Sequence, residues 1–181
     1  MRGRPPIRKI IVYIATSADG FIARRGGGID WLDRPRPRGN YGMGAFYRSI
    51  DTVIMGRKTW DLGRSLGQTC YPGKQNYVFS RRLRRHNDVE FIRQSPAGFA
   101  RGLRRRNGKN VWLVGGGQLI AGFLDAGEID EFIIHVIPVF IGEGIPLMQP
   151  RRRTVRLDLL GSKSYPDGVL RLHYVVSRKG S

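Results

Sequence analysis

The run Val53-Ile-Met-Gly-Arg-Lys-Thr-Trp60 constrains the fold more than any other stretch, because an apolar strand breaks at Gly56 directly into two cations and a threonine. A strand, a glycine turn and a helix start bring free backbone N–H groups to one point, and Arg57, Lys58 and Thr59 add charge and a hydroxyl there. Such a place suits an anionic phosphate. The pattern returns after Val111-Trp-Leu-Val114, where Gly115, Gly116, Gly117 and Gln118 lead into the apolar helix face Leu119-Ile-Ala-Gly-Phe-Leu124. One turn of this kind is common in any α/β protein, whereas two in one short chain favour a dinucleotide. No G-x-G-x-x-G follows the first strand and no G-x-x-x-x-G-K-S/T occurs, so neither the Rossmann fingerprint nor the Walker loop accounts for the two turns.

Around these turns the pattern alternates. Strands are predicted over 9–16, 52–55, 76–79, 89–92, 111–114, 131–137, 155–163 and 169–177, and helices over 45–50, 59–66, 96–106 and 118–126. Strands alternating with helices imply a mostly parallel sheet covered on both faces, and the last two strands, joined through Pro166-Asp-Gly168, read as an antiparallel hairpin. The expected fold class is therefore α/β, a three-layer α/β/α sandwich with a mostly parallel mixed sheet and a C-terminal hairpin. Gly26 to Gly28 and Pro35 to Gly39 mark an early loop.

A chain of 181 residues that is 40% hydrophobic can bury one core, and no linker divides it, so a single domain is expected, with basic residues 1–8 and residues 178–181 as tails. No apolar run approaches the ~18–20 residues of a membrane span, and a soluble cytoplasmic protein is expected. Cys70 is the only cysteine, which fits a reducing compartment. His86, His135 and His173 stand apart from cysteines and paired carboxylates, so no metal site is expected. The formal net charge of +18 raises nucleic acid as a partner. The clusters at Arg34/Arg36/Arg38, Arg81/Arg82/Arg84/Arg85, Arg101/Arg104/Arg105/Arg106 and Arg151/Arg152/Arg153 fall mainly in predicted loops, without interleaved aromatics for base stacking. A solvated arginine-biased surface is the stronger reading, and nucleic acid the weaker.

Five stretches carry a resemblance: Ile11-Val-Tyr-Ile-Ala15 with Ser17-Ala-Asp-Gly-Phe-Ile-Ala23, then Met55-Gly-Arg-Lys-Thr-Trp60, Asn76-Tyr-Val-Phe-Ser80, Val114-Gly-Gly-Gly117, and Ile137-Pro-Val-Phe-Ile-Gly-Glu-Gly-Ile-Pro-Leu147. In these the chain resembles the dihydrofolate reductase superfamily, and the last block is similar to the branch typified by the riboflavin-pathway reductase domain and its bacterial relatives. The resemblance implies NADPH as cofactor and hydride transfer to a pteridine-like or pyrimidine-like heterocycle. It places Ala15 and Ile22 beside the nicotinamide, with Asp19 and Gly20 closing over it. Gly56, Arg57, Lys58 and Thr59 would hold phosphates, and Phe79, Ser80 and Arg81 would lie toward the adenosine 2′-phosphate. Val114, Gly115, Gly116, Gly117, Gln118 and Leu119 would pack against the pyrophosphate, with the Gly115–Gly116 peptide bond cis.

Asn40 departs from the folate-reducing members, which carry an acidic residue before the first phosphate block. An amide has no proton to relay near neutral pH and cannot pair with a protonated heterocycle as a carboxylate does, so dihydrofolate reductase activity itself is not expected. Asn40, Tyr41 and Asp30 are the candidate catalytic residues, Tyr41 because its hydroxyl could donate to a substrate carbonyl. Trp31, Tyr41 and Phe46 are candidates to line a flat heterocycle pocket, although packing is the better reading of Phe46. The alternatives are the riboflavin-pathway 5-amino-6-(5-phosphoribosylamino)uracil reductase and a non-catalytic nucleotide-sensing or nucleic-acid-associated protein. A homodimer is expected, formed where strand 131–137 and the closing hairpin leave an apolar sheet edge.

Overall fold

The computed structural model describes residues 8–82, 85–151 and 153–177. Its first strand, β1 (Ile10–Ser17), is an unbroken apolar run and ends up in the middle of the sheet, as a run with no polar face must. The chain continues through β2 (Phe21–Ala23), α1 (Met43–Ser49), β3 (Ile50–Gly56), α2 (Arg57–Ser65), β4 (Gln75–Phe79) and β5 (Glu90–Ile92). Then follow α3 (Pro96–Arg104), β6 (Asn110–Gly115), α4 (Gly117–Asp125), β7 (Glu131–Ile137), β8 (Ile145–Pro146), β9 (Leu157–Ser164) and β10 (Leu170–Val176).

Eight strands form one sheet in the order β5-β4-β3-β6-β1-β7-β10-β9, parallel except where β10 runs against both β7 and β9. Alternating residues divide the core. Ile10 and Val12 of β1 pack with Phe99 and Leu103 of α3 and Ile120 and Phe123 of α4, while Ile11 and Tyr13 pack with Phe46 of α1 and Trp60 of α2. The three-layer sandwich is as expected from the alternation of elements. Element limits move by one or two residues, which is the usual uncertainty of frayed ends.

Four features were not legible locally. β2 and β8 pair antiparallel in a small second sheet, Phe21 opposite Pro146 and Ala23 opposite Ile145; three residues and a proline-containing pair give no strand signal of their own. Single 3-10 turns occur at Asp30–Leu32 and Asn40–Gly42. The strand 131–137 is not a sheet edge, because β10 folds back and covers it; the edge on that side is β9. Finally, Arg8 was expected in a tail but is only 6% exposed, with its guanidinium on Asp51, Thr52 Oγ1 and the Lys109 carbonyl. The other expected tail residues, 1–7 and 178–181, lie outside the described residues, as do Arg84 and Arg152. Among the described residues no helix is long and apolar enough to cross a membrane.

α3 begins with a side-chain cap, Ser95 Oγ accepting from the Gly98 N–H at 3.2 Å with Pro96 in the first turn. Its last residue, Arg104, does more than face a helix end. The guanidinium donates to the carbonyls of Arg8 (2.9 Å) and Glu128 (3.0 Å), to Asp130 (2.9 Å) and to Glu128 Oε2 (3.2 Å), tying α3 to the start of the sheet. Arg104→Ala would leave two half-buried carboxylates and two carbonyls short of a donor. A loss of about 2–3 kcal/mol is expected in urea denaturation, just below the range for fully buried pairs.

Candidate active site

β3 and β6 are parallel neighbours, with Met55 opposite Gly115, so their glycine turns emerge side by side at the carboxyl edge of the sheet. From there α2 leads away to β4 on one side and α4 to β7 on the other, on opposite faces. This is a topological switch point, the place where open α/β sheets leave a crevice for a ligand. The turns touch through backbone. A Cβ placed on Gly56 would meet the Gly115 carbonyl oxygen and the Gly116 nitrogen, each at 3.6 Å, and one on Gly116 would meet Thr59 Oγ1 at 3.5 Å. Gly115 has φ +128°, open to glycine but rare for other residues, and the Gly115–Gly116 peptide bond is cis, as the resemblance implied.

Unlike α3, neither α2 nor α4 has a side chain capping its N-terminus. Uncapped first-turn N–H groups of two helices therefore face one crevice, which is suited to a negatively charged group. Arg57 is half-buried and spends its Nε on Asp61 at 2.7 Å, one helical turn on. Lys58 is exposed, and Thr59 is half-buried beside Gly116. Gly56 lies opposite Phe79, so Ser80 and Arg81 arrive at the same edge. Two expected contacts are differently occupied. Phe79 packs edge-on to Phe99 and Phe123 in the core, and the Ser80 hydroxyl binds the backbone of Arg82. Val114 and Leu119 are partly buried against the two core clusters, and Gln118 is exposed.

Past the end of β1, Asp19 turns to segment 137–147. Its carboxylate accepts the N–H groups of Ile141 (3.1 Å) and Gly142 (2.8 Å); the Ser17 hydroxyl first, and then these amides, hold it below the ordinary carboxylate range. With Ala18 N–H on the Val139 carbonyl (2.8 Å), Leu147 N–H on the Gly20 carbonyl (3.0 Å) and the β2–β8 pairing, segment 137–147 is laced to loop 17–23. Gly144 permits this, since a Cβ there would collide with the Ala23 carbonyl oxygen. Gly117 brings α4 against the same segment: a Cβ would stand 2.8 Å from the Pro146 carbonyl oxygen. Ile22 is packed against the α3/α4 core.

The other half of the site lies on the α1 face. Ala15 of β1 is opposite His135 of β7, which is opposite Arg171 of β10. Above them, Asn40 (φ 44°) and Tyr41 (φ 56°) sit in left-handed backbone between Gly39 and Gly42. For two consecutive non-glycine residues this is costly, about 1–2 kcal/mol each, and such strain gathers at functional sites. Tyr13 supports the turn, its hydroxyl donating to the Tyr41 carbonyl at 3.4 Å. The Tyr41 ring lies 5.8 Å from that of His135 and edge-on to Tyr165 at 5.0 Å. Its hydroxyl donates to Asp167, which Arg34 also holds. The donor expected for a substrate carbonyl is therefore already engaged. Asn40 is half-buried, and among the described residues its side chain has no hydrogen-bond partner.

Asp30 is engaged away from any catalytic role, and Phe46 packs the core as the better reading of the sequence had it. Arg24 grips Asp30 through two hydrogen bonds, 2.7 and 2.8 Å, on the exposed surface, and this pairing holds the carboxyl below its ordinary range, so it has no proton to give at neutral pH. Phe46 stacks on Tyr13 at 4.3 Å and meets Trp112 edge-on, so it packs the core beneath the site. Trp31 is half-buried, with an Nε1 that is shut off from solvent and has no hydrogen-bond partner among the described residues. Sequence reasoning missed Tyr13, His135, Tyr165, Asp167 and Arg171. The available signal was a polar residue breaking an apolar strand, His135 in Phe132-Ile-Ile-His-Val-Ile137, which cannot be used until the register is known. Among the described residues no cluster of three potential metal ligands occurs.

The architecture is that of the dihydrofolate reductase superfamily, with the site at its switch point. Within it the chain belongs to the RibD C-terminal domain family, whose model matches residues 8–171. It is 41% identical over 171 residues to the uncharacterized protein YwjB of Bacillus subtilis, covering 93% of this chain and 98% of that one. To YyaP of the same organism it is 32% identical over 180 residues, covering 92% and 94%. Among solved structures, a Shewanella protein assigned to riboflavin biosynthesis superposes with TM-score 0.84 at 29% identity, over 94% of this chain and 99% of that one. The deaminase/5-amino-6-(5-phosphoribosylamino)uracil reductase of Thermotoga maritima shares the fold, with TM-score 0.73 at 15% identity, over 94% of this chain but only 57% of its own.

His135 is 4% exposed, and burial pushes its imidazole down to about 4, with Arg171 adding to the shift. It is neutral in the folded protein where an unfolded chain would protonate it. Because the folded value is the lower one, stability falls as pH drops from about 6.5 towards 4, by roughly 3 kcal/mol in all. Urea midpoints should decline through that window in the wild type, and His135→Gln should flatten the slope above about pH 4.5, whatever its own fixed effect on stability.

Proposed function

We propose that the protein is an NADPH-dependent reductase that transfers a hydride to a pyrimidine-like or pteridine-like heterocycle. The observation that carries this reading is the contact of two uncapped glycine turns at a switch point, beside which Arg57, Lys58 and Arg81 supply cations and Thr59 a hydroxyl. The residues fit the cofactor: the two turns lie backbone to backbone at Gly56 and Gly116, and the uncapped first-turn N–H groups of Arg57, Lys58, Gly117 and Gln118 would hold its phosphates. When bound, NADPH supplies the hydride. Loop 17–23, held by Asp19 against segment 137–147, forms one wall at Ala15 and Ile22 and keeps water from the reacting edge. The turn Asn40–Tyr41, fixed by Tyr13 and Asp167, would present the face for the heterocycle.

The uracil-type reductase of the riboflavin pathway is the favoured specific case, because the RibD C-terminal match spans residues 8–171. The nucleic-acid reading is weaker, since Arg34, Arg104 and Arg153 of the basic clusters are taken up by carboxylates of the chain itself.

Titration should show NADPH bound at least tenfold more tightly than NADH, as about 1.4 kcal/mol from a charge-assisted contact to the 2′-phosphate gives that ratio. Arg57→Ala should narrow the preference, and equal affinities in the wild type would reject the assignment. Oxidised heterocycles should then be screened by loss of reduced-nicotinamide absorbance, with dihydrofolate expected among the poor substrates because Asn40 cannot relay a proton.

A homodimer belongs to the same proposal. Every residue of the edge strand β9 is exposed, and Leu157, Leu159 and Leu160 on it with Leu170 on β10 are 37, 57, 56 and 38% exposed. An edge so apolar calls for cover by a second copy. Light scattering should give about twice the 20.5 kDa of one chain, and Leu159→Arg combined with Leu160→Lys should return the monomer mass. A wild-type mass of one chain at micromolar concentration would count against the dimer.

A further inference from the structure

Six arginines of the described residues are buried or half-buried, and five of them have a carboxylate: Arg8 has Asp51, Arg34 has Asp167, Arg57 has Asp61, Arg104 has Glu128 and Asp130, and Arg153 has Asp125. Arg171 is the exception. Its Nε is shut off from solvent without a hydrogen-bond partner, and no ion pair reaches its guanidinium among the described residues. Arg171 is half-buried rather than withdrawn from water, yet a cation whose Nε is desolvated and unpaired still costs stability. Its cross-strand neighbour aggravates matters. Arg171 stands directly opposite Lys163, whose ammonium lies 5.1 Å over the Tyr165 ring, and like charges directly opposite repel.

The groups on its other side offer no negative charge. Its neighbour on β7 is His135, kept neutral by burial, and Tyr13 behind that is held protonated, its hydroxyl pushed up to about 12 by burial. The nearby carboxylate, Asp167, is already held by Tyr41 and Arg34. Nor is the cofactor crevice within reach: β10 is three strands from β6, about 14 Å at ordinary strand spacing.

We infer that Arg171, with Lys163 beside it, is the receptor for an anionic oxygen group, a phosphate or a carboxylate, carried by the heterocycle. The inference rests on the assignment of this face as the substrate side of the reductase site. A planar guanidinium takes either oxyanion through two parallel hydrogen bonds, and the desolvation already suffered by Nε makes the pairing more favourable when the anion arrives.

The test uses the full-length protein, with and without NADPH, and calorimetric titration with four probes: uracil, its ring carboxylate orotate, uridine and uridine 5′-phosphate. The expected result is that at least one anionic probe binds tenfold or more tightly than its neutral counterpart. Arg171→Gln should erase that preference and Arg171→Lys should keep part of it, with NADPH affinity unchanged in both. The carboxylate and phosphate arms identify which oxyanion is taken. In the absence of ligand Arg171→Gln should melt at or above the wild-type temperature, because an unpaired charge has been removed. A wild type indifferent to the anion, or a preference that survives Arg171→Gln, overturns the inference, and a lowered melting temperature with the preference intact assigns Arg171 a purely structural role. If NADPH fails to bind while the Arg171-dependent preference stands, the reductase reading falls and the anion site remains.

Discussion

The backbone of the turn after β3 lies against the backbone of the turn after β6, and the rest of the site depends on that contact. Gly115, at φ +128°, takes a backbone conformation that favours glycine, while a Cβ on Gly56 or Gly116 would lie in ordinary contact with the facing turn, at 3.6 and 3.5 Å. Parallel pairing with Met55 opposite Gly115 puts both turns at one edge, and the divergence of α2 and α4 to opposite faces opens the sheet there. Two helix N-termini then share one crevice without side-chain caps, while α3, which follows the edge strand β5, uses Ser95 to satisfy its own first turn. Leaving N–H groups uncapped sacrifices about 1 kcal/mol per helix, a concession that makes sense where an anion supplies the missing acceptors.

A second contact closes the site from the other side. Segment 137–147, one of the stretches that resemble the riboflavin-pathway branch, holds loop 17–23 in place. Asp19 collects two amides from it, β2 and β8 pair across it, and Gly144 and Gly117 let backbone approach backbone at both ends. Asp19 thus acts as a clamp, and its negative charge is spent on N–H groups rather than offered to a cofactor.

On the substrate side the chemistry is weighted toward donors. Among the described residues Arg171 Nε and Trp31 Nε1 have no hydrogen-bond acceptor, Lys163 stands opposite Arg171, His135 is neutral, and the nearby acid Asp167 is occupied. The strained turn at Asn40 and Tyr41 is held in place by Tyr13 and Asp167. Strain and unpaired donors both lower the stability of the empty protein, and both are common where a site is organised ahead of its ligand.

The sequence by itself determined the class of fold and the cofactor-side turns, because these rest on local rules: an apolar run that must be a central strand, glycines that permit sharp turns, and helix starts that attract anions. Tertiary structure alone decided the substrate side. His135 and Arg171 are separated by some three dozen residues and meet because β10 turns back along β7 in one particular register; a slip of one residue would send Arg171 to the opposite face. Asp30 was misread for the same reason, since whether an acid falls to Arg24 depends on which elements the fold brings alongside it. Local sequence specifies which residues can turn, pair or bury; only the assembled sheet specifies which of them share a face.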